Sequence, residues 1–257
     1  LRSEGPRGVC SGRSEHQHMK LLEEMSWPEI EEGLKVTRTV ILPVGATEEH
    51  GPHLPTITDT IQAMETARTV AQKREVFLAP PIHYGVCRST RGFPGTITVG
   101  HDALRSYVKE LLISFTDSGF ENVLILTGHA GSQHMSALKE ACQMALEERE
   151  FRVSLVSLFD LIDPQAAETP HDGHAGEIET SMMMVIRKDL VKGLPEEHFP
   201  PRPRFLIMKD VRHLMGTGIM GNPAPATIKK GQNFLAMAAE GLIEALEELE
   251  SDCWKGR

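Results

Sequence analysis

Short apolar runs recur along this chain, and after most of them apolar positions return every three or four residues. Thr39-Val40-Ile41-Leu42-Pro43-Val44, Val76-Phe77-Leu78-Ala79 and Asn122-Val123-Leu124-Ile125-Leu126-Thr127 read as buried strands, with another over 152–158. Helical periodicity covers about 59–73, 102–117 and 133–149, a Met-rich stretch after His174, and about 230–250. Ser26-Trp27-Pro28-Glu29 has the composition of a capped helix start, where proline is tolerated in the first turn. Strands that are apolar along their whole length are covered on both faces, and their alternation with helices implies a mainly parallel sheet. The expected fold class is α/β. In such sheets ligands bind beyond the carboxyl ends of the strands.

The polar residues that interrupt this pattern carry the chemistry. Glu48-Glu49-His50-Gly51-Pro52-His53 follows the first strand, with Asp59 just beyond. Gly128-His129-Ala130-Gly131 follows the third, and His174-Ala175-Gly176-Glu177-Ile178-Glu179-Thr180-Ser181 opens the Met-rich helix. Mixed imidazole and carboxylate donors suit borderline divalent ions such as zinc, manganese or iron, which can activate water at neutral pH. In an extended segment residues i and i+2 share a side, so Glu48 and His50 can enter one pocket while Glu49 points away. Asp59 at a helix start can either cap that helix or bridge two ions. His129 is placed as a strand-end ligand or as a histidine bonded to backbone. Glu177 and Glu179 lie about 200° apart around a regular helix, so they cannot both serve one ion. The Met182-Met183-Met184 run reads as core packing.

Composition narrows the classes. The chain has 257 residues, 40% hydrophobic and 25% charged, enough for one full core. A net charge of −9 without a basic stripe argues against a nucleic-acid partner. No apolar stretch approaches the ~20 residues of a membrane span. Cys10, Cys87, Cys142 and Cys253 are scattered without CxxC spacing, which fits reduced thiols in a cytoplasmic protein rather than a zinc finger or disulfide framework. Residues 1–18 are polar, Gly/Ser/Arg-rich and aperiodic and are expected to be a disordered extension, with one domain over 19–257.

Taken together, ATEEHGPHLP with Asp59, RGFPGT, LTGHAG, HAGEIETS and GIMGNPAPAT resemble, in order, the motifs of the creatininase (creatinine amidohydrolase) family. The resemblance spans residues from Met19 to about Leu249. It implies a three-layer α/β/α fold, a homohexamer and two divalent metal ions per subunit. Carried over residue by residue, it implies Glu48, His50 and His129 as ligands, Asp59 as the bridge and Glu177 as the remaining ligand. It leaves the role of Glu179 open. His174 is then free to carry a proton to the leaving nitrogen, and His53 and Arg91 are candidate substrate contacts. The implied function is a dinuclear hydrolase that cleaves a C–N bond of a small cyclic amide or formamide through a metal-activated water. A lactone or oxidised cyclic polyol is the alternative substrate, and a non-catalytic binding scaffold the alternative class. Creatinine-hydrolysing members carry a glutamate where this chain has Gly131, and cover the substrate with tryptophans that Trp27 and Trp254 do not match. Both departures argue against creatinine as the substrate.

Overall fold

The computed structural model describes residues 19–201, 203–251 and 253; the expected extension over 1–18 lies outside them. Five strands form one all-parallel sheet in the order β1-β3-β2-β4-β5: β1 Lys20–Leu21, β2 Thr39–Val44, β3 Phe77–Leu78, β4 Asn122–Thr127 and β5 Arg152–Ser157. β2 and β4 pair in register from Thr39 opposite Asn122 to Val44 opposite Thr127. Both therefore end at the same level, and the polar segments that follow them emerge side by side.

Alternate residues of each strand feed different cores, as the period of two requires. Val40, Leu42 and Val44 of β2, with Val123 and Ile125 of β4, pack beneath α3 (His101–Asp117) and α4 (Ser132–Glu148). Ile41, Leu124 and Leu126 face the other way, onto α2 (Thr58–Ala71) and α6 (Ile228–Glu250). This is the three-layer α/β/α arrangement. At the start of α1 (Trp27–Gly33), Ser26 N–H donates to Glu29 Oε2 at 2.7 Å, as the capping pattern predicts.

α5 (Glu177–Ile186) is the Met-rich helix, and Met182 packs with Phe234 and Ala238 of α6. Its N-terminal N–H groups on Glu177 and Ile178 donate to the two oxygens of Asp172, at 3.0 and 2.9 Å. That carboxylate sits at the positive end of the helix, where an anion is favoured. α5 approaches α6 so closely that a Cβ on Gly231 would lie 1.9 Å from Ser181 O. Among the described residues no helix is long and apolar enough to cross a membrane.

Candidate metal centre

The carboxyl edge of the sheet gathers six polar side chains into a buried cluster. β2 delivers Glu48 and His50, the first turn of α2 delivers Asp59, the turn after β4 delivers His129, and the segment opening α5 delivers His174 and Glu179. Glu48, His50, Asp59, His129 and Glu179 are all buried. A Cβ on Gly128 would lie 2.2 Å from Asp59 O, so the segments carrying Asp59 and His129 touch through backbone and only glycine fits between them.

Asp59 stands at the centre. Its Oδ1 is 2.8 Å from His50 Nε2 and its Oδ2 is 3.3 Å from His129 Nδ1. The capping alternative fails, because Asp59 lies within the helix and its carboxylate turns to the histidines. Glu48 Oε2 lies 2.9 Å from His129 Nδ1, and Glu179 Oε2 lies 3.8 Å from His50 Nε2. Thr90 Oγ1 donates to the other oxygen of Glu48.

Backbone carbonyls set the imidazole tautomers. His50 Nδ1–H donates to Glu48 O at 3.0 Å, leaving Nε2 to face Asp59. His129 Nε2–H donates to Val86 O at 3.2 Å, leaving Nδ1 to face Glu48 and Asp59. A ring nitrogen held this way is oriented as a ligand by the bond its other nitrogen makes. His174 Nε2–H donates to Glu49 O at 2.5 Å, and its ring lies 4.2 Å, centroid to centroid, from that of His50. His134 backs the cluster: its Nδ1 accepts from Val86 N–H, and its Nε2–H donates to Thr127 Oγ1. Burial, reinforced by His129, lowers the His134 pKa to about 3 and keeps the ring neutral.

The charges explain what this cluster is built for. Burial works against ionisation of Glu48, but His129 and His174 outweigh it and hold the carboxyl at about 2. Burial also opposes protonation of His50, yet Asp59 and Glu179 raise it to about 10. Asp59 is likewise held below, and His129 well above, the ordinary value. Carboxylates and imidazoles of this kind neutralise one another only by binding protons, and divalent cations can take the place of those protons. Among the described residues Glu48 Oε2 and Asp59 Oδ2, both buried, also have no hydrogen-bond donor. Two donor groups among the described residues meet the spacing for an ion, Glu48/Cys87/His129 and His50/His174/Glu179. The residues fit a pair of divalent ions.

The structure brings Glu48, His50, Asp59, His129 and His174 together but not Glu177. That carboxylate accepts from Lys230 Nζ at 2.8 Å and from the N–H groups of Thr169 and Glu168, on the far side of α5. Burial opposes its ionisation, and these donors outweigh burial and hold its pKa below the ordinary value. Glu179 occupies the inward position instead. The 200° separation foretold that only one of the pair could enter the site, and Lys230 is the partner that takes the other. His53 is also displaced from the expected role: it is fully buried, with Nε2 2.9 Å from Thr180 Oγ1, and ties the β2 segment to α5. Arg91 donates to Lys209 O and pins a surface segment.

A cavity of about 610 Å³ opens onto the cluster. Glu48, Asp59, His129, His174 and Glu179 line its floor, and Phe159, Ile162, Pro200, Leu206, Leu214 and Met215 line its walls. The family model described as creatininase (creatinine amidohydrolase) matches residues 23–246. The chain belongs to the creatininase family. Members of this family are metal-dependent amidohydrolases, and the present chain is a creatininase-family hydrolase. It is 31% identical over 230 residues to a mycofactocin precursor peptide peptidase of Mycolicibacterium smegmatis, an alignment covering 83% of this chain and 86% of that protein. Two solved creatininases share its fold. One, described as a Mn form, has a TM-score of 0.83 at 22% identity, covering 91% of this chain and 100% of its own. The other, a mutant of Zn–Zn type, has a TM-score of 0.84 at 23% identity with the same coverage.

Proposed function

We propose that this creatininase-family protein is a two-ion hydrolase that cleaves the C–N bond of an amide. The observation that carries the reading is the carboxylate of Asp59, which turns one oxygen to His50 and the other to His129. Glu48, His129 and Asp59 Oδ2 would hold one ion; His50, Glu179 and Asp59 Oδ1 would hold the other. Bound there, the pair would supply Lewis acidity and an activated water.

The chain's own groups do the rest. His174, anchored through Nε2–H to Glu49 O, keeps Nδ1 for proton exchange and passes a proton to the departing nitrogen. The apolar walls exclude water and strengthen the electrostatics at the cavity floor. Among the described residues, those lining the cavity include no lysine or arginine. The volume admits cyclic amides and formamides and also a short peptide end, and the peptidase relative supports the larger class. The subunits are inferred to assemble as a homohexamer; sedimentation showing only monomer at micromolar concentration would contradict this.

The test is a hydrolysis screen over cyclic amides, formamides and short peptides after chelation and reconstitution with zinc, manganese or iron. Activity should vanish with chelator and return with metal. Asp59→Ala should lose more than one equivalent of bound ion; full metal content in that variant would sink the bridging assignment.

A further inference from the structure

Cys87 is buried, yet it belongs to none of the three apolar clusters, whereas Cys142 packs in the core under α3 and α4. It lies on the long segment between β3 and α3, beside Val86, whose carbonyl accepts from His129. Its Sγ, a carboxylate oxygen of Glu48 and a ring nitrogen of His129 all lie within 4.8 Å of one another. Among the described residues Glu48 Oε2 has no hydrogen-bond donor and neither does Asp59 Oδ2. Three kinds of donor thus converge on one point from three separate segments. A Cβ on Gly131 would lie 2.7 Å from His129 Nε2, and the glycine there contributes no side chain to this subsite.

We infer that Cys87 is a protein ligand to the ion held by Glu48 and His129, so that this half of the metal pair has a sulfur donor and the other half has none. Resting on the two-ion reading above, the inference gives the centre two unlike subsites. On binding, a metal–sulfur bond forms, the S–H bond breaks and one proton leaves to solvent. The thiolate is a soft donor that suits zinc and cobalt and is poorly matched to manganese. With Asp59, Glu48 and His129 it completes four protein donors around one ion, the number typical of a closed zinc site. The His50/Glu179 subsite keeps its room for water and substrate. One ion is therefore held firmly and selectively, and the other exchanges.

The test uses the full chain carrying Cys10→Ser and Cys253→Ser, in which Cys87 and Cys142 are the remaining thiols. The metal-stripped protein is titrated with cobalt(II) while bound metal is counted by mass spectrometry. The expected result is a near-ultraviolet sulfur-to-cobalt charge-transfer band that saturates with the first equivalent. Cys142→Ser should keep the band and Cys87→Ser should abolish it. In competition, the preference for zinc over manganese at the tighter site should fall at least tenfold in Cys87→Ser. Two bound cobalt ions without a charge-transfer band in the parent protein would overturn the ligand assignment and leave the two-ion reading standing. Absence of bound cobalt would overturn both. A band that survived in Cys87→Ser would also overturn the assignment.

Discussion

At the scale of single residues, Glu177 and Glu179 show how two carboxylates on one helix turn can be told apart by measurement. On the proposed assignment Glu179→Gln loses one ion and with it most activity, while its melting temperature without metal changes little. Glu177→Gln should keep both ions but unfold about 2 kcal/mol more easily, because it weakens a buried pair whose lysine is partly solvated. Metal content and chelated melting curves on both variants check this, and metal loss in Glu177→Gln would reverse the roles. His134 makes a second prediction. In the folded chain its pKa is lowered to about 3, against 6.5 for a free ring, so between those values the unfolded state binds the proton and the folded state does not. Stability then falls as pH drops through that window. In metal-free protein, His134→Gln should show a flatter decline of urea midpoint from pH 6.5 downward than the parent. Glu48, His50, Asp59 and His129 were legible in the sequence as candidate donors after apolar runs, and the family resemblance gave Asp59 and His129 their ligand roles over the capping and backbone-bonded alternatives. Glu179 and Cys87 were not. Choosing between Glu177 and Glu179 needs the position of Lys230, more than fifty residues away, and nothing near Cys87 marks it as other than a core thiol.

At the scale of elements, the junction of α5 with α6 decides where Glu179 points. A glycine inside a helix is ordinarily improved by alanine, by roughly 1 kcal/mol. At Gly231 the added Cβ would meet Ser181 O at 1.9 Å and Val185 Cγ2 at 2.8 Å. Backbone cannot move aside as a flexible side chain can, so Gly231→Ala should destabilise by about 3 kcal/mol in spite of its helix propensity. Denaturant unfolding decides the sign. β2 and β4 are continuous apolar runs, their helices carry periodic signals, and all appear where expected. β1 has two residues, Lys20 and Leu21, too few for any alternation, and is defined only by its pairing with Phe77 and Leu78. The turn before α5 is marked in sequence by its polar residues, but its backbone conformation is not. Ala175 there takes a left-handed φ of 55°, a conformation uncommon for a residue with a Cβ, and its N–H donates to Glu179.

At the scale of the whole molecule, the parallel register of β2 and β4 brings residues distant in sequence to one edge, and Asp59 faces both halves of the cluster. Ions bound there would fasten the chain from Glu48 through His129 to Glu179, joining both sides of the sheet to α5. Unfolding would have to release them, so the free concentration of metal becomes a thermodynamic variable of the fold itself. Above the dissociation constant, each tenfold rise in free ion should add about 1.4 kcal/mol of stability per ion released. Melting in metal buffers spanning several decades would show this as a continuous rise of the transition temperature with the logarithm of free zinc. Its steepness counts the ions that leave. Where metal is scarce, a larger share of the molecules would be unfolded and open to proteolysis.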